Sequence, residues 1–156
     1  MNKHLSVKEI LALAINKEIE SQALYADLCR RVKSAAAKEA FLELAWQERR
    51  HQLLLEKYAS GRLKAGVLAL EQPLDYKITE HFERPALSPG MELKDVFLFA
   101  AEREKASHEF YLCLAELHPA GRVRNLLEGL AAQELDHKSK VEAFYTEVAF
   151  PQTDGG

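Results

Sequence analysis

Glu18, Tyr25, Glu48 and His51 are each matched by a residue of the same type 86 positions later, at Glu104, Tyr111, Glu134 and His137. Four carboxylates and two imidazoles thus arrive as two copies of one unit. Each copy is a lone Glu with a Tyr seven residues on, followed by a Glu-x-x-His whose Glu lies 30 residues after the first. Carboxylate oxygen and imidazole nitrogen are donors to divalent transition metals. Residues three apart on a helix share a face, with Cβ atoms roughly 5–6 Å apart, so Glu48 and His51 can serve one metal and Glu134 and His137 another. The two half-sets together make the ligand complement of a two-metal centre, which points to chemistry on oxygen species.

The repeat reaches well beyond the donors. Lys8 and Lys94, Ala14 and Ala100, Ser21 and Ser107, Leu28 and Leu114, and Glu56 and Glu142 keep the same register. The string Leu44-Ala45-x-Gln47-Glu48-x-x-His51 recurs as Leu130-Ala131-x-Gln133-Glu134-x-x-His137. Either Glu-x-x-His alone reads most simply as a surface glutamate and a satisfied core histidine. A duplicated helical hairpin explains the whole pattern at once.

The elements that must position these residues are four long helices. The first opens at Ser6, with Glu9 placed for a capping box, and runs to about Arg31 with Ile10, Leu11, Ala14, Ile15 and Leu24 on its apolar side. The second starts near Ser34 and ends by Gly61, a left-handed C-terminal cap. Ser88-Pro89 reads as an N-cap followed by proline in the first turn of a third helix that ends before Pro119, and a fourth runs from about Arg122 until Pro151 stops it. The expected fold is all-α: a single-domain four-helix bundle of two hairpins, about 6–60 and about 88–150, joined by a long crossover with a short helix over Arg62 to Leu70. Self-similar hairpins on a long tether also predict a homodimer, in which exchanging hairpins between chains costs little.

Helix geometry then places the tyrosines. Residues seven apart differ by about 20° around the axis and about 10 Å along it, so Tyr25 shares an interior wall with Glu18, and Tyr111 with Glu104. Charge favours metal over a purely structural role. Four carboxylates in one bundle core carry a formal −4, and burying them without compensation forces proton uptake or distortion. Two divalent cations neutralise them.

Composition narrows the class. The 156 residues are 47% hydrophobic and 29% charged, with a net charge of −3, a pattern of neither disorder nor polyanion binding. The basic cluster Arg30, Arg31, Lys33 reads as a solvated turn, so no nucleic-acid partner is expected. No apolar run approaches the ~20 residues that span a bilayer, and Met1 to Val7 lacks the pattern of a secretion signal, so no membrane association and a cytoplasmic location are expected. Cys29 and Cys113 form no Cys-x-x-Cys and read as reduced helix thiols.

The segments Ala14-x-x-x-Glu18-x-x-x-x-x-Leu24-Tyr25 and Ala100-x-x-x-Glu104-x-x-x-x-Glu109-Phe110-Tyr111, with the two Leu-Ala-x-Gln-Glu-x-x-His strings, resemble the rubrerythrin di-iron domain of the ferritin-like superfamily over about residues 5 to 150. The resemblance implies a ferritin-like bundle holding two iron ions, with manganese or zinc as substitutes. It implies that Glu48 and Glu134 bridge both irons, that Glu18 and His51 complete one, and that Glu104 and His137 complete the other. It implies reduction of hydrogen peroxide or oxygen, of peroxidase or ferroxidase type, with Tyr25 and Tyr111 hydrogen-bonding the glutamates around the metals. Rubrerythrins proper carry a C-terminal rubredoxin module, and this chain shows no paired Cys-x-x-Cys, so a separate electron donor such as a rubredoxin-like protein is expected. They also place a carboxylate one turn after the helix-three glutamate, where this chain has Ser107, which weakens the likeness to a dedicated peroxidase. A non-catalytic iron-handling protein is the alternative, and a di-iron hydroxylase the third reading. His108 shares a face with Glu104 but matches Gln22 in the first copy, so its contact with the site stays open, and Trp46 reads as core or interface packing or as an electron relay. His4, His81 and His118 read as terminus, crossover and helix-end residues.

Overall fold

The computed structural model describes residues 6–61, 87–88 and 90–150, and these form four helices and no strand. The expected short helix from Arg62 to Leu70, with His4 and His81, lies outside the described residues.

Helix α1 spans Val7–Arg31 and opens as its sequence requires: the Ser6 hydroxyl accepts from the Glu9 N–H at 3.2 Å while the Ser6 N–H donates to the Glu9 carboxylate at 2.8 Å. Such a cap is worth about 1 kcal/mol. Val32 leaves the helix in an extended conformation, and a three-residue turn leads to α2, Ala35–Ala59, whose Ala37 N–H donates to Ser34 Oγ at 3.3 Å. Gly61, at φ +74°, turns the chain out of α2 in the left-handed region.

Helix α3 spans Leu93–Glu116, so it begins later than the Ser88-Pro89 cap predicts. Gly90 takes φ +73°, a conformation that cannot continue a right-handed helix, and the Met91 N–H closes a turn onto the Ser88 carbonyl at 3.4 Å. Ser88 therefore caps a turn, and Glu92 starts the helix without a side-chain cap. Helix α4 spans Arg122–Ala149.

Each helix packs mainly against its hairpin partner, α1 on α2 and α3 on α4, and the hairpins also meet where α1 faces α3. The buried positions of α1 (Ile10, Leu11, Ala14, Glu18, Ser21, Tyr25, Leu28) and of α2 (Ala37, Phe41, Leu44, Glu48, His51, Leu55) step by three and four residues, one stripe on each helix. Two apolar clusters form. One gathers Tyr25, Phe41, Phe97 and Val141; the other gathers Ile10, Leu55, Tyr111 and Leu127. Polar residues of the same stripes lie between them. In the first cluster Tyr25, Phe41, Phe97 and Phe144 stack in sequence with centroids 6.0, 5.3 and 5.3 Å apart. This packing fixes the bundle around its polar centre. No helix among the described residues is long and apolar enough to cross a membrane.

Candidate metal centre

Glu18 comes from α1, Glu48 and His51 from α2, Glu104 from α3, and Glu134 and His137 from α4. All six are at most 3% exposed. The three-residue spacing on α2 and on α4 sets each histidine beside its own glutamate, His51 Nδ1 being 3.1 Å from Glu48 Oε2 and His137 Nδ1 3.2 Å from Glu134 Oε2. The imidazoles lie nearly parallel, with centroids 5.4 Å apart and planes 7° from one another.

The carboxylates divide into two kinds. Glu48 turns Oε2 toward His51 and Oε1 toward His137, the latter at 3.3 Å. Glu134 likewise turns Oε1 toward His51 at 3.7 Å and Oε2 toward His137. Glu18 approaches only His51, at 3.6 Å, and Glu104 only His137, at 3.7 Å. Two donor clusters result, one of Glu18, Glu48, His51 and Glu134 and one of Glu48, Glu104, Glu134 and His137, the donor atoms of each lying within 4.8 Å of one another. They share Glu48 and Glu134.

Each tyrosine serves the opposite hairpin. Tyr25 Oη donates to Glu104 Oε1, and Tyr111 Oη donates to Glu18 Oε1. Burial, reinforced by the neighbouring carboxylate charge, pushes both phenols well above their ordinary range, so they remain O–H donors.

The electrostatics show what the cluster demands. Burial raises Glu18 and Glu104 well above the usual carboxylate range, and the charges of Glu134 and Glu48 add to the effect. Burial also raises Glu48 and Glu134, yet hydrogen bonds from the histidines outweigh it, leaving Glu48 lowered and Glu134 well below its normal value. Burial would lower both histidines, but the surrounding carboxylates override it and raise them well above normal. Protons on the histidines and on the terminal glutamates thus balance the two inner carboxylates. Glu18 Oε2 and Glu104 Oε2 are buried and receive no hydrogen bond. Oxygen donors to spare, with two imidazole Nδ1 atoms turned inward, fit a pair of divalent cations.

Further side chains frame the cluster. His51 Nε2 meets Gln133 Oε1 at 2.5 Å, a contact from the opposite hairpin that the sequence reading missed. The signal for it was the glutamine preceding each Glu-x-x-His. His108 does not reach the donors; its Nδ1 pairs with the Ala131 carbonyl of α4 at 2.7 Å. Trp46 is 63% exposed on the outer face of α2 and is no part of the core. Arg31 pairs with Asp27 at 2.8 Å at the exposed end of α1.

The comparisons agree with this geometry. Two solved structures resemble the chain over nearly all of its length. A hypothetical protein from Pyrococcus furiosus is 26% identical with a TM-score of 0.66, covering 96% of this chain and 94% of its own. A Thermotoga maritima protein assigned as a ferritin-like diiron-carboxylate protein is 26% identical with a TM-score of 0.65, covering 95% of this chain and 99% of its own. No curated protein matches the sequence significantly. The rubrerythrin family model matches residues 9–88, just over half of the chain, spanning the hairpin whose donors recur in the second. The chain belongs to the rubrerythrin family, and its bundle is a ferritin-like fold.

Proposed function

We propose that the protein is a di-iron oxidoreductase that reduces hydrogen peroxide or dioxygen. The observation that carries this reading is the double reach of Glu48 and Glu134, each turning one carboxylate oxygen to each histidine. In the proposed site Glu48 and Glu134 would serve both ions, with Glu18 and His51 holding one and Glu104 and His137 holding the other. When bound there, a pair of iron(II) ions would supply two electrons for the reduction of an oxygen species. The Tyr25 and Tyr111 hydroxyls orient the terminal glutamates. The buried walls exclude water and strengthen each interaction with the charged centre. Manganese and zinc satisfy the same donors, so iron is assigned by the chemistry proposed.

A cavity lined by Phe41, Leu44, Phe97, Val141 and Phe144, with Glu43, Gln47 and Lys140, lies one turn along α2 and α4 from Glu48 and His137 and is about 70 Å³. The hydroxylase reading ranks last, and non-catalytic iron handling is the alternative. A separate, rubredoxin-like donor supplies electrons, and the protein works in the cytoplasm as a homodimer.

The experiment is anaerobic loading with iron(II), counting metal per chain, followed by stopped-flow addition of peroxide with detection in the near ultraviolet. Two irons and a rapid absorption change are expected. Two irons without that change would overturn the redox reading in favour of iron handling, and one or none would overturn the dinuclear site.

A further inference from the structure

We propose that Gln133 makes the two metal positions unequal, so that the Glu18/His51 position binds its ion more tightly than the Glu104/His137 position. The inference rests on the dinuclear reading and concerns a feature the ligand symmetry conceals.

The ligands repeat faithfully, but their support does not. His51 directs Nδ1 at Glu18, Glu48 and Glu134, and its Nε2 lies 2.5 Å from Gln133 Oε1. An amide oxygen only accepts, so Nε2 keeps its proton, and Nδ1, which faces the carboxylates, is the nitrogen that would give up its proton to an ion. The contact also fixes the rotation of the ring. His137 directs Nδ1 at Glu48, Glu104 and Glu134 in the same way. By the register its Nε2 should meet Gln47. Instead Gln47 Nε2 donates to Glu43 Oε1 at 3.1 Å, one turn back on its own helix, and the contacts of His137 with the cluster run through Nδ1.

The cause is written at one position. Four residues before Gln47 stands Glu43, and four before Gln133 stands Gly129. Side chains four apart on a helix are neighbours, so Glu43 engages Gln47 along α2. Gly129 offers nothing to hold Gln133 along α4, and the amide crosses to His51. One residue in the repeat thereby decides whether a glutamine serves its own helix or the ligand of the opposite hairpin. Removing a partner of this kind from a metal-bound histidine typically costs 10- to 100-fold in affinity, which sets the scale of the asymmetry.

The test uses cobalt(II) as the probe on the full chain made metal-free, with calorimetric titration and proton NMR in water. At one equivalent, one dominant hyperfine-shifted, slowly exchanging imidazole N–H is expected, from His51 Nε2–H. Gln133→Leu should remove that resonance and weaken the tighter site about 10- to 100-fold. Gln133→Glu, which keeps an acceptor oxygen, should restore the resonance. Glu43→Ala, on the exposed face of α2, should free Gln47 and tighten the weaker site, an outcome that a merely structural role for Gln133 would not produce. Equal occupancy of both sites at one equivalent, or unchanged affinities in Gln133→Leu and Glu43→Ala, would overturn the proposal while leaving the dinuclear reading intact. Failure of the unmodified chain to bind two cobalt ions would overturn both.

Discussion

The two hairpins share a register of 86 residues, yet they spend their surfaces differently. On α2 the outer face exposes Leu42, Trp46 and Leu53, at 58%, 63% and 40%. The matching positions on α4 are Glu128, Ala132 and Ser139. Halfway round the helix the contrast reverses. Gln52 donates to Glu56 at 2.8 Å in an exposed pair on α2, while its counterpart on α4 is an ion pair, Lys138 to Glu142 at 2.9 Å, with both side chains buried. The centre of the inward stripe stays alike. The donors, the tyrosines and the serines between them hold their types because the geometry of the centre admits few substitutes, whereas the positions around that stripe have diverged, into an exposed apolar face on one hairpin and a buried charge pair on the other.

Breaking the shared part should have the largest effect. Glu48→Ala or Glu134→Ala removes an oxygen from both positions and should abolish dinuclear loading, while Glu18→Ala or Glu104→Ala should leave one ion per chain. Metal analysis after anaerobic loading reads this directly, and the reverse order would refute the bridging assignment.

Breaking the divergent charge pair should separate the hairpins by stability. Lys138→Met strips the buried Glu142 carboxylate of its lysine and should cost about 3–5 kcal/mol. Gln52→Met, at the uncharged, half-buried counterpart that bonds Gln22 and Glu56, should cost only about 1 kcal/mol. Denaturant titration of the two variants measures the contrast, and equal costs would show that the pair on α4 contributes no more than a surface contact.

The pH dependence sharpens the comparison between inner and terminal carboxylates. Glu18, Glu104, His51 and His137 all keep their protons to higher pH in the folded chain than in the unfolded one. The folded state thus binds more protons above the ordinary carboxylate range, and the stability of the metal-free protein should fall as pH rises through the raised values. Glu48 and Glu134, being lowered, contribute stability that disappears only as pH falls into the acid range. Bound metal replaces the protons, so loading should raise the melting temperature most at the alkaline end. Melting curves with metal and with chelator across neutral pH test both signs, and a metal-free melting temperature that climbs with pH would contradict the account.

The smallest effect on the monomer should come from the outer face of α2. Trp46→Ser should change folding stability by no more than about 0.5 kcal/mol, while shifting the proposed homodimer toward monomer in light scattering. An unmodified chain that is already monomeric at all concentrations would remove that face from the assembly.

What was legible in the sequence follows from which interactions are local. Ser6 with Glu9, and Ser34 with Ala37, reveal their helix starts because a cap is formed within three residues. Ser88 misled for the complementary reason: its neighbourhood reads as a cap, but Gly90 takes a left-handed conformation that the sequence permits without demanding. The convergence of the six carboxylate and imidazole side chains was legible because a repeated spacing fixes a face on each helix, and four such faces meet in one bundle. Which tyrosine meets which glutamate was not legible, since spacing along one helix says nothing about which helix lies opposite. The same limit hid Gln133, and it left His108 open, although the sequence correctly placed it on the face of Glu104.

The crossed tyrosine bonds have a bearing on the order of synthesis. When hairpin one has left the ribosome, it carries Glu18, Glu48, His51 and Tyr25, yet the hydroxyl that orients Glu18 belongs to Tyr111 and the acceptor of the Tyr25 hydroxyl belongs to Glu104. Each hairpin alone therefore lacks the hydroxyl that holds its own terminal glutamate, and both carboxylates gain their orienting partner only once the two halves have docked.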